Sequence, residues 1–510
     1  MAVDVLLPIF VAVPLAASAI AVLLPWRVAR DILHIAIPLL GVFAGIWLFA
    51  YTSTHGTIAH SIGLYVGGVA IPFVADAFSA IMIITTSIVA VAANWFATVV
   101  GETRARFYPA LTLMLITGVN GALLTADLFN FFVFIEVMLL PSYGLMAMTG
   151  TWARLASGRI FVLVNLSAST LLVAAVSIVY GVLGAVNIAS LQGVVAGNPL
   201  AATAMGIVVI AIAVKAGVFP VHTWLPRTYP GTSAAVMGLF SGMHTKVAVY
   251  MLYRIYVHIF ALDPTWNWLI IAFMVVSMIV GGFAGLGENS IRRVLAYQMV
   301  NGMPFILVML AFTSDDPQRA LAAGLFYTLH HMITVGALIL ASGAIEETYG
   351  TGLLSKLSGL ARRDPLVAAV FATGAFSVVG FPPFSGMWGK VLLIFEVARV
   401  GNVAAWIVIA AIIIASVGAL LSMIRVWRQV FWGGSMNQKG VSPQLRISFT
   451  KLAPAATLMV LSVAMFLFAG PLIDATLTAT AGLLDTGDYQ QAVLGDDAVA
   501  VPSPNYQGGK

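Results

Sequence analysis

The chain has 510 residues, of which 61% are hydrophobic and 8% charged, with a formal charge of +5 and a pI near 9.4. So few charges cannot dress a soluble body of this size, so lipid must solvate most of its outer surface. With no cysteine, disulfides, thiolate metal sites, iron–sulfur clusters and thiol catalysis are excluded; with no Gly-rich phosphate loop, nucleotide-driven chemistry is excluded as well.

In chain order, apolar runs and polar breaks predict spans at 4–25, 32–52, 72–98, 107–125, 128–150, 158–184, 199–221, 232–258, 266–286, 291–312, 318–345, 366–398, 403–430 and 452–478. Each is near the ~20 apolar residues that cross the hydrocarbon as a helix. The runs are continuous rather than alternating, which excludes a transmembrane barrel. The fold expected is an all-α polytopic membrane protein of about fourteen helices. The first run lacks a small-residue cleavage site behind a basic segment and reads as a retained helix. The last segment, 479–510, carries Asp485, Asp488, Asp496 and Asp497 with few apolar residues, and is expected to be a poorly ordered extramembrane tail.

Basic residues test the count. Loops after odd-numbered spans hold Arg27, Arg30, Arg104, Arg106, Arg154, Arg159, Arg227, Arg292, Arg293, Lys356, Arg362, Arg363, Arg428, Lys439, Arg446 and Lys451; even-numbered loops and the tail hold Arg254, Arg319, Arg399 and Lys510. That asymmetry places the odd-numbered loops in the cytoplasm and both termini outside. The basic pI therefore reports cytoplasmic loops and not a nucleic-acid partner.

Four basic residues remain within spans. Arg425 lies near a span end and can snorkel; Lys215, Lys246 and Lys390 lie deeper, as does Glu136 in FNFFVFIEVMLLPSY. A charge at the bilayer centre costs ~2.5–3.5 kcal/mol on insertion scales, so each must face protein or water. Packing alone could account for one such charge as a structural ion pair. Four on four spans favour a proton or cation pathway. His330 and His331 share span eleven, but adjacent helical residues point ~100° apart, so they cannot face one cavity together. His244, two residues before Lys246, and Asp76 at the start of span three are weaker candidates, with Glu396 weaker still. The histidine spacing builds no metal site, and no cofactor is implied.

Span seven ends in KAGVFPVHTWLP, with Gly217, Pro220 and Pro226; span twelve contains GFPPFSGMWGK, with Gly380, Pro382, Pro383 and Gly386. Proline removes a backbone donor and clashes with the preceding turn, so both helices should break at depth. Two broken helices five spans apart, each beside a lysine, predict that spans four to eight recur inverted as nine to thirteen. The chain then divides into helices 1–3 (1–106), a first repeat (107–258), an inverted second repeat (266–430), helix 14 (452–478) and the tail (479–510).

DLFNFFVFIEVMLLPSYGLM, AVKAGVFPVHTWLP, TSAAVMGLFSGMHTKVAVYMLYR, LHHMITVGALIL and GFPPFSGMWGKVLL resemble the proton-translocating antiporter-like family. It includes the large subunits of Mrp-type Na⁺/H⁺ antiporters, whose D-type members fit best, and the membrane-arm subunits of respiratory complex I. The resemblance spans residues 70–430. It implies a mid-membrane polar axis in which Glu136 is the fifth-helix acid and Lys215 the seventh-helix lysine. Lys246 joins two half-channels, His331 matches the eleventh-helix histidine, and Lys390 is the terminal base. It further implies one component of a Na⁺/H⁺ antiporter in a bacterial cell membrane, working with the other Mrp subunits, and not an enzyme in its own right. Two departures stand out. Many members carry a lysine soon after the eleventh-span histidine, where this chain has Val335 and Gly336, and AYQMVNGMPFIL lacks a histidine common near the start of span ten. Two other readings stay open: a proton-pumping component of complex I powered by quinone chemistry elsewhere, and a structural component whose buried charges serve packing.

Overall fold

The computed structural model describes residues 3–63, 70–148 and 151–495. Its helices are, in order, α1 (Ile9–Leu23), α2 (Arg27–His55), α3 (Ala77–Val100), α4 (Tyr108–Leu124), α5 (Leu128–Ala147), α6 (Trp152–Leu183) and α7 (Pro199–Ala216). There follow α8 (Trp224–Thr228), α9 (Ala234–Arg254), α10 (Asn267–Ala284), α11 (Ile291–Leu307), α12 (Pro317–Tyr349) and α13 (Leu360–Arg363). The last six are α14 (Pro365–Val379), α15 (Ser385–Val400), α16 (Val403–Val426), α17 (Phe449–Leu467), α18 (Ala469–Leu484) and α19 (Thr486–Leu494). Among the described residues, 12 helical stretches are long and apolar enough to cross a membrane, and α4 and α14 are shorter apolar helices.

Polar residues punctuate the apolar runs. Asp127 accepts from the Asn130 amide at the start of α5, Asn198 from Ala201 at α7, and Ser233 from Val236 at α9. Each satisfies an amide that a helix N-terminus leaves open, which matters more where water is scarce. α9 is buried along its whole length and α12 from Ala320 to Ile345, whereas most of α1 and α2 is not buried. The centre is thus α9 and α12, with α11 packed beside them. These central helices carry His244, Lys246, Gln298, Asn301, His330 and His331, ionisable and polar side chains that need protein or water around them at this depth.

Three boundaries differ from the sequence reading. The apolar run carries span three back to residue 72, but Ile71–Ala75 is a strand, β2, paired antiparallel with β1 (Ile58–Ile62). Asp76 then caps α3 through a reciprocal capping box with Ser79, which fixes the helix start at Ala77. The described fold is therefore all-α apart from one small hairpin. Spans seven and twelve break as expected, with α7 ending at Ala216 and α14 at Val379. Span fourteen, expected as one helix over 452–478, is two helices meeting at Phe468. Pro471 lies in the first turn of α18, where its missing amide is harmless, and it cannot continue α17. The tail expected to be poorly ordered from residue 479 is instead helical to Leu494, with Tyr489, Val493 and Leu494 buried. Residues 496–510, with Asp496, Asp497 and Lys510, lie outside the described residues, as do 149–150 at the end of span five.

Candidate functional site

Lys215 sits in the last turn of α7, just before Gly217, whose φ of 71° is left-handed and ends the helix. It is 4% exposed, and its ammonium donates to Ser169 Oγ of α6 at 2.8 Å. Glu136, on α5, is half-buried; its Oε1 is buried with no hydrogen-bond partner among the described residues. The two charges influence one another without touching, and Glu136 forms no ion pair among the described residues. The direct pairing that the sequence invites is therefore a separated pair, with Ser169 holding the lysine. His244, a weaker candidate from sequence, is well connected. Its Nε2 shares a 2.9 Å hydrogen bond with Ser142 Oγ of α5, its Nδ1 a 3.3 Å bond with Tyr229, and it stacks on Phe240 at 4.2 Å.

At the centre, Lys246 of α9 is fully buried. Its contacts are long: Ser241 O at 3.4 Å, Thr245 Oγ1 at 3.3 Å and Met303 Sδ at 3.7 Å. His331 of α12 lies within electrostatic reach, its Nε2 3.2 Å from Gln298 O. Gly302 makes room for that ring, since a Cβ there would sit 2.0 Å from Nε2. His331 Nδ1, both side-chain polar atoms of Gln298 and Asn301 Oδ1 are all buried without partners among the described residues. Buried polar groups are otherwise almost always satisfied by protein or ordered water.

His330 faces the other way, as helical geometry requires. Its Nδ1 meets Ser385 Oγ at 2.8 Å and Thr334 Oγ1 at 3.2 Å, and these hydroxyls meet Ser462 Oγ at 2.9 and 2.7 Å. Ser377 joins at 3.2 Å, so α12, α14, α15 and α17 share one hydroxyl network. Gly386 permits it: a Cβ there would lie 1.7 Å from Ser377 O. Lys390, 6% exposed, is in electrostatic reach of His330. Its ammonium donates at 2.7 Å to both Val379 O and Ser416 Oγ, and lies 5.1 Å from the Phe305 ring centre.

Lys215, His244, Lys246, His331, His330 and Lys390 thus run through the core from the α7 break to the α14–α15 break, with Glu136 beside the first. Asp76 stands apart at the N-terminus of α3, in a 2.6 Å ion pair with Arg254. Arg254 reads from sequence as a loop cation, but it ends α9 and is buried. Glu396 pairs with Arg399 at 3.6 Å, away from the axis. Arg425 donates to the Leu286 and Glu288 carbonyls at 2.6 Å. The linking hydroxyls, Ser142, Ser169, Ser385, Ser416 and Ser462, escape the sequence reading. A serine in a transmembrane helix usually bonds its own i−4 carbonyl, as Ser142 and Ser416 also do, and nothing local separates the two uses.

Broken helices and a core line of lysines and histidines define a polytopic membrane protein with ionisable groups held at depth. The family model described as NADH:quinone oxidoreductase/Mrp antiporter, TM, matches residues 125–418. The D-type component of the Na⁺/H⁺ antiporter of Alkalihalophilus pseudofirmus is 32% identical over 460 residues, covering 89% of this chain and 92% of that one. A chain in the structure of the Mrp complex from Dietzia sp. DQ12-45-1b superposes with a TM-score of 0.92 at 39% identity, over 97% of this chain and 100% of that one. A chain of respiratory complex I from Thermus thermophilus shares the fold, with a TM-score of 0.78 at 22% identity over 94% and 99%. The chain belongs to the NADH:quinone oxidoreductase/Mrp antiporter family, on the side of its D-type Mrp members.

Proposed function

We propose that this chain is the proton-translocating component of a multi-subunit Na⁺/H⁺ antiporter in a bacterial membrane, working with other Mrp-type subunits. The observation that carries the reading is the line of three lysines and three histidines, each at most 6% exposed, in a chain whose relatives are antiporter subunits. Burying that many ionisable groups without ion pairs costs stability that packing alone does not return.

Counting α7–α8 and α14–α15 as one broken span each, and α17–α18 as the last, gives fourteen spans. In this reading α4–α9 and α10–α16 are inverted copies, with the breaks at matching places. Both termini lie outside, as the loop charges ask.

The chemistry is electrostatic. Lys215 can answer Ser169, or it can move toward Glu136. Shifting a unit charge from ~8 to ~4 Å at an effective dielectric near 20 changes its energy by ~2 kcal/mol, several times thermal energy. A proton on Lys215 held by Ser169 repels cationic forms of His244 and Lys246; drawn to Glu136, it releases them. Protonation of Lys246 then favours proton movement toward His331, His330 and Lys390, past the unpartnered polar groups of Gln298 and Asn301. Lys390 rests on the carbonyl end of α14, where the helix dipole favours a cation.

The test is cation-dependent proton movement in everted vesicles from an antiporter-deficient host expressing the whole operon, with immunoblots for assembly. Glu136→Ala and Lys215→Ala should assemble and lose exchange. Assembled variants that exchange normally would make the buried charges structural. Quinone-linked proton movement without cation dependence in the intact operon would move the assignment to complex I, which the shared fold alone allows.

A further inference from the structure

A second buried cluster lies off the axis. Arg254 donates to Asp76 Oδ1 at 2.6 Å and to the Tyr250 hydroxyl at 3.1 Å. That pair does not satisfy its members: Asp76 Oδ2 and Arg254 Nη1 are buried without partners among the described residues. One turn on, His258 is fully buried, and neither ring nitrogen has a partner among the described residues. Burying an imidazole with no hydrogen bond costs ~1–3 kcal/mol, so packing alone does not explain it. His258 lies in a π-helical turn, Ile255–Ile259, a distortion frequent at functional sites. Directly after it Ala261 and Leu262 adopt left-handed φ values of 49° and 56°, uncommon for non-glycine residues.

The cluster is linked inward and covered outward. Lys246, Tyr250 and Arg254 are spaced i, i+4, i+8 on α9, one face over ~12 Å. Beside Tyr250 a cavity of about 10 Å³, the space of about one water, reaches Thr328 on α12, one turn from His331. On the other side, Tyr489 of α19 packs tilted against His258 with ring centres 4.2 Å apart and lies 5.3 Å from the Arg254 guanidinium. α19 is pinned there by Asp488, which accepts from the Thr57 amide at 2.6 Å. Loop charges assign this end of α3, α9 and α19 to the outer face.

We propose that Asp76, Arg254 and His258 form an outer proton-exchange site, connected to Lys246 along the Tyr250 face of α9 and covered by Tyr489 of α19. A proton passed along the Tyr250 face of α9 binds the unprotonated ring nitrogen of His258, and the imidazolium returns it to solvent at the outer face when Tyr489 moves aside; entry reverses these steps. The charged and titratable groups around His258 are Asp76 from the start of α3, Arg254 and Tyr250 from α9 and Tyr489 from α19, with Asp127 in electrostatic reach of Tyr489. This rests on the proton-relay reading above and adds its outer port.

The experiment uses the intact multi-subunit complex in proteoliposomes of known orientation, with exchange followed while outer and inner pH are varied separately. His258→Gln keeps similar bulk but cannot titrate, and since neither ring nitrogen has a hydrogen-bond partner among the described residues it should assemble. Asp76→Asn is the second variant and Lys246→Met the control. The port predicts at least a tenfold loss of exchange in His258→Gln, with a flattened dependence on outer pH and an unchanged dependence on inner pH. Assembled His258→Gln exchanging as wild type, with its outer-pH profile intact, overturns the port; if Lys246→Met is then inactive, the relay reading survives alone. If Lys246→Met is also fully active, both fail. Should Asp76→Asn not assemble, His258→Gln decides.

Discussion

The two helix breaks solve the same problem with different donors. At the first, α7 ends before Gly217, and Val214 O accepts from both the Trp224 indole at 3.0 Å and the Gly217 amide at 3.2 Å, so only neutral donors answer it. Lys215 is thereby left with Ser169 and within reach of Glu136. At the second, no indole intervenes, and Lys390 itself donates to Val379 O. Carbonyls near a helix C-terminus need donors at membrane depth, and the two breaks supply them differently. Using an indole leaves the lysine free to change partners; using the lysine fixes it. On the proposed relay, the first break serves as a switch and the second as a resting place for charge.

Variants can break that contrast. The largest effect is expected for Lys390→Gln, whose amide can still donate to Val379 O but carries no proton in exchange. Exchange should fall at least tenfold while immunoblots show full assembly; a structural lysine would be replaced without loss. Gly302→Ala comes next, because its Cβ would displace the His331 ring. Proton flux should fall several-fold to tenfold, with the complex keeping its elution volume. Ser169→Ala removes the neutral partner of Lys215 and biases it toward Glu136, so a change of a few fold in the half-saturating Na⁺ concentration is expected, read from the same vesicles. Trp224→Phe should do least to exchange and most to stability, since it removes one buried hydrogen bond, worth ~0.5–1.5 kcal/mol, from a carbonyl that keeps the Gly217 amide. A lowered melting temperature of the complex in detergent, with near-normal exchange, is the expected pattern. If Trp224→Phe abolishes exchange and Lys390→Gln does not, the roles of the breaks are reversed.

Much of this is legible in the sequence because the membrane simplifies the code. Runs of apolar residues must be helices, so the twelve long stretches stand out, and Gly217 and Pro382–Pro383 mark breaks that lipid would not tolerate. Glu136 and the three lysines are conspicuous for the same reason. What stays hidden depends on contacts distant in sequence. Ile71–Ala75 is apolar enough to extend span three, and only its pairing with Ile58–Ile62 makes it a strand. The acidic, glycine-bearing segment after residue 479 reads as solvated, yet Tyr489 alternates with its polar neighbours to bury one face on His258 and Arg254. Arg254 at the end of an apolar run reads as a loop cation until Asp76, 178 residues away, is brought beside it. Polarity at depth is visible locally, whereas the partner that gives it a role is not.

The central claim is that Lys246 joins the two halves into one proton path, and Lys246→Met tests it most directly. Methionine fills a similar volume without charge, so replacing a fully buried lysine that makes only long contacts should leave assembly and melting temperature unchanged or improved. The measurement is Na⁺-driven proton movement by the purified complex in proteoliposomes. The account predicts an assembled, stable complex with exchange reduced to background. A stable complex exchanging at the wild-type rate would contradict it.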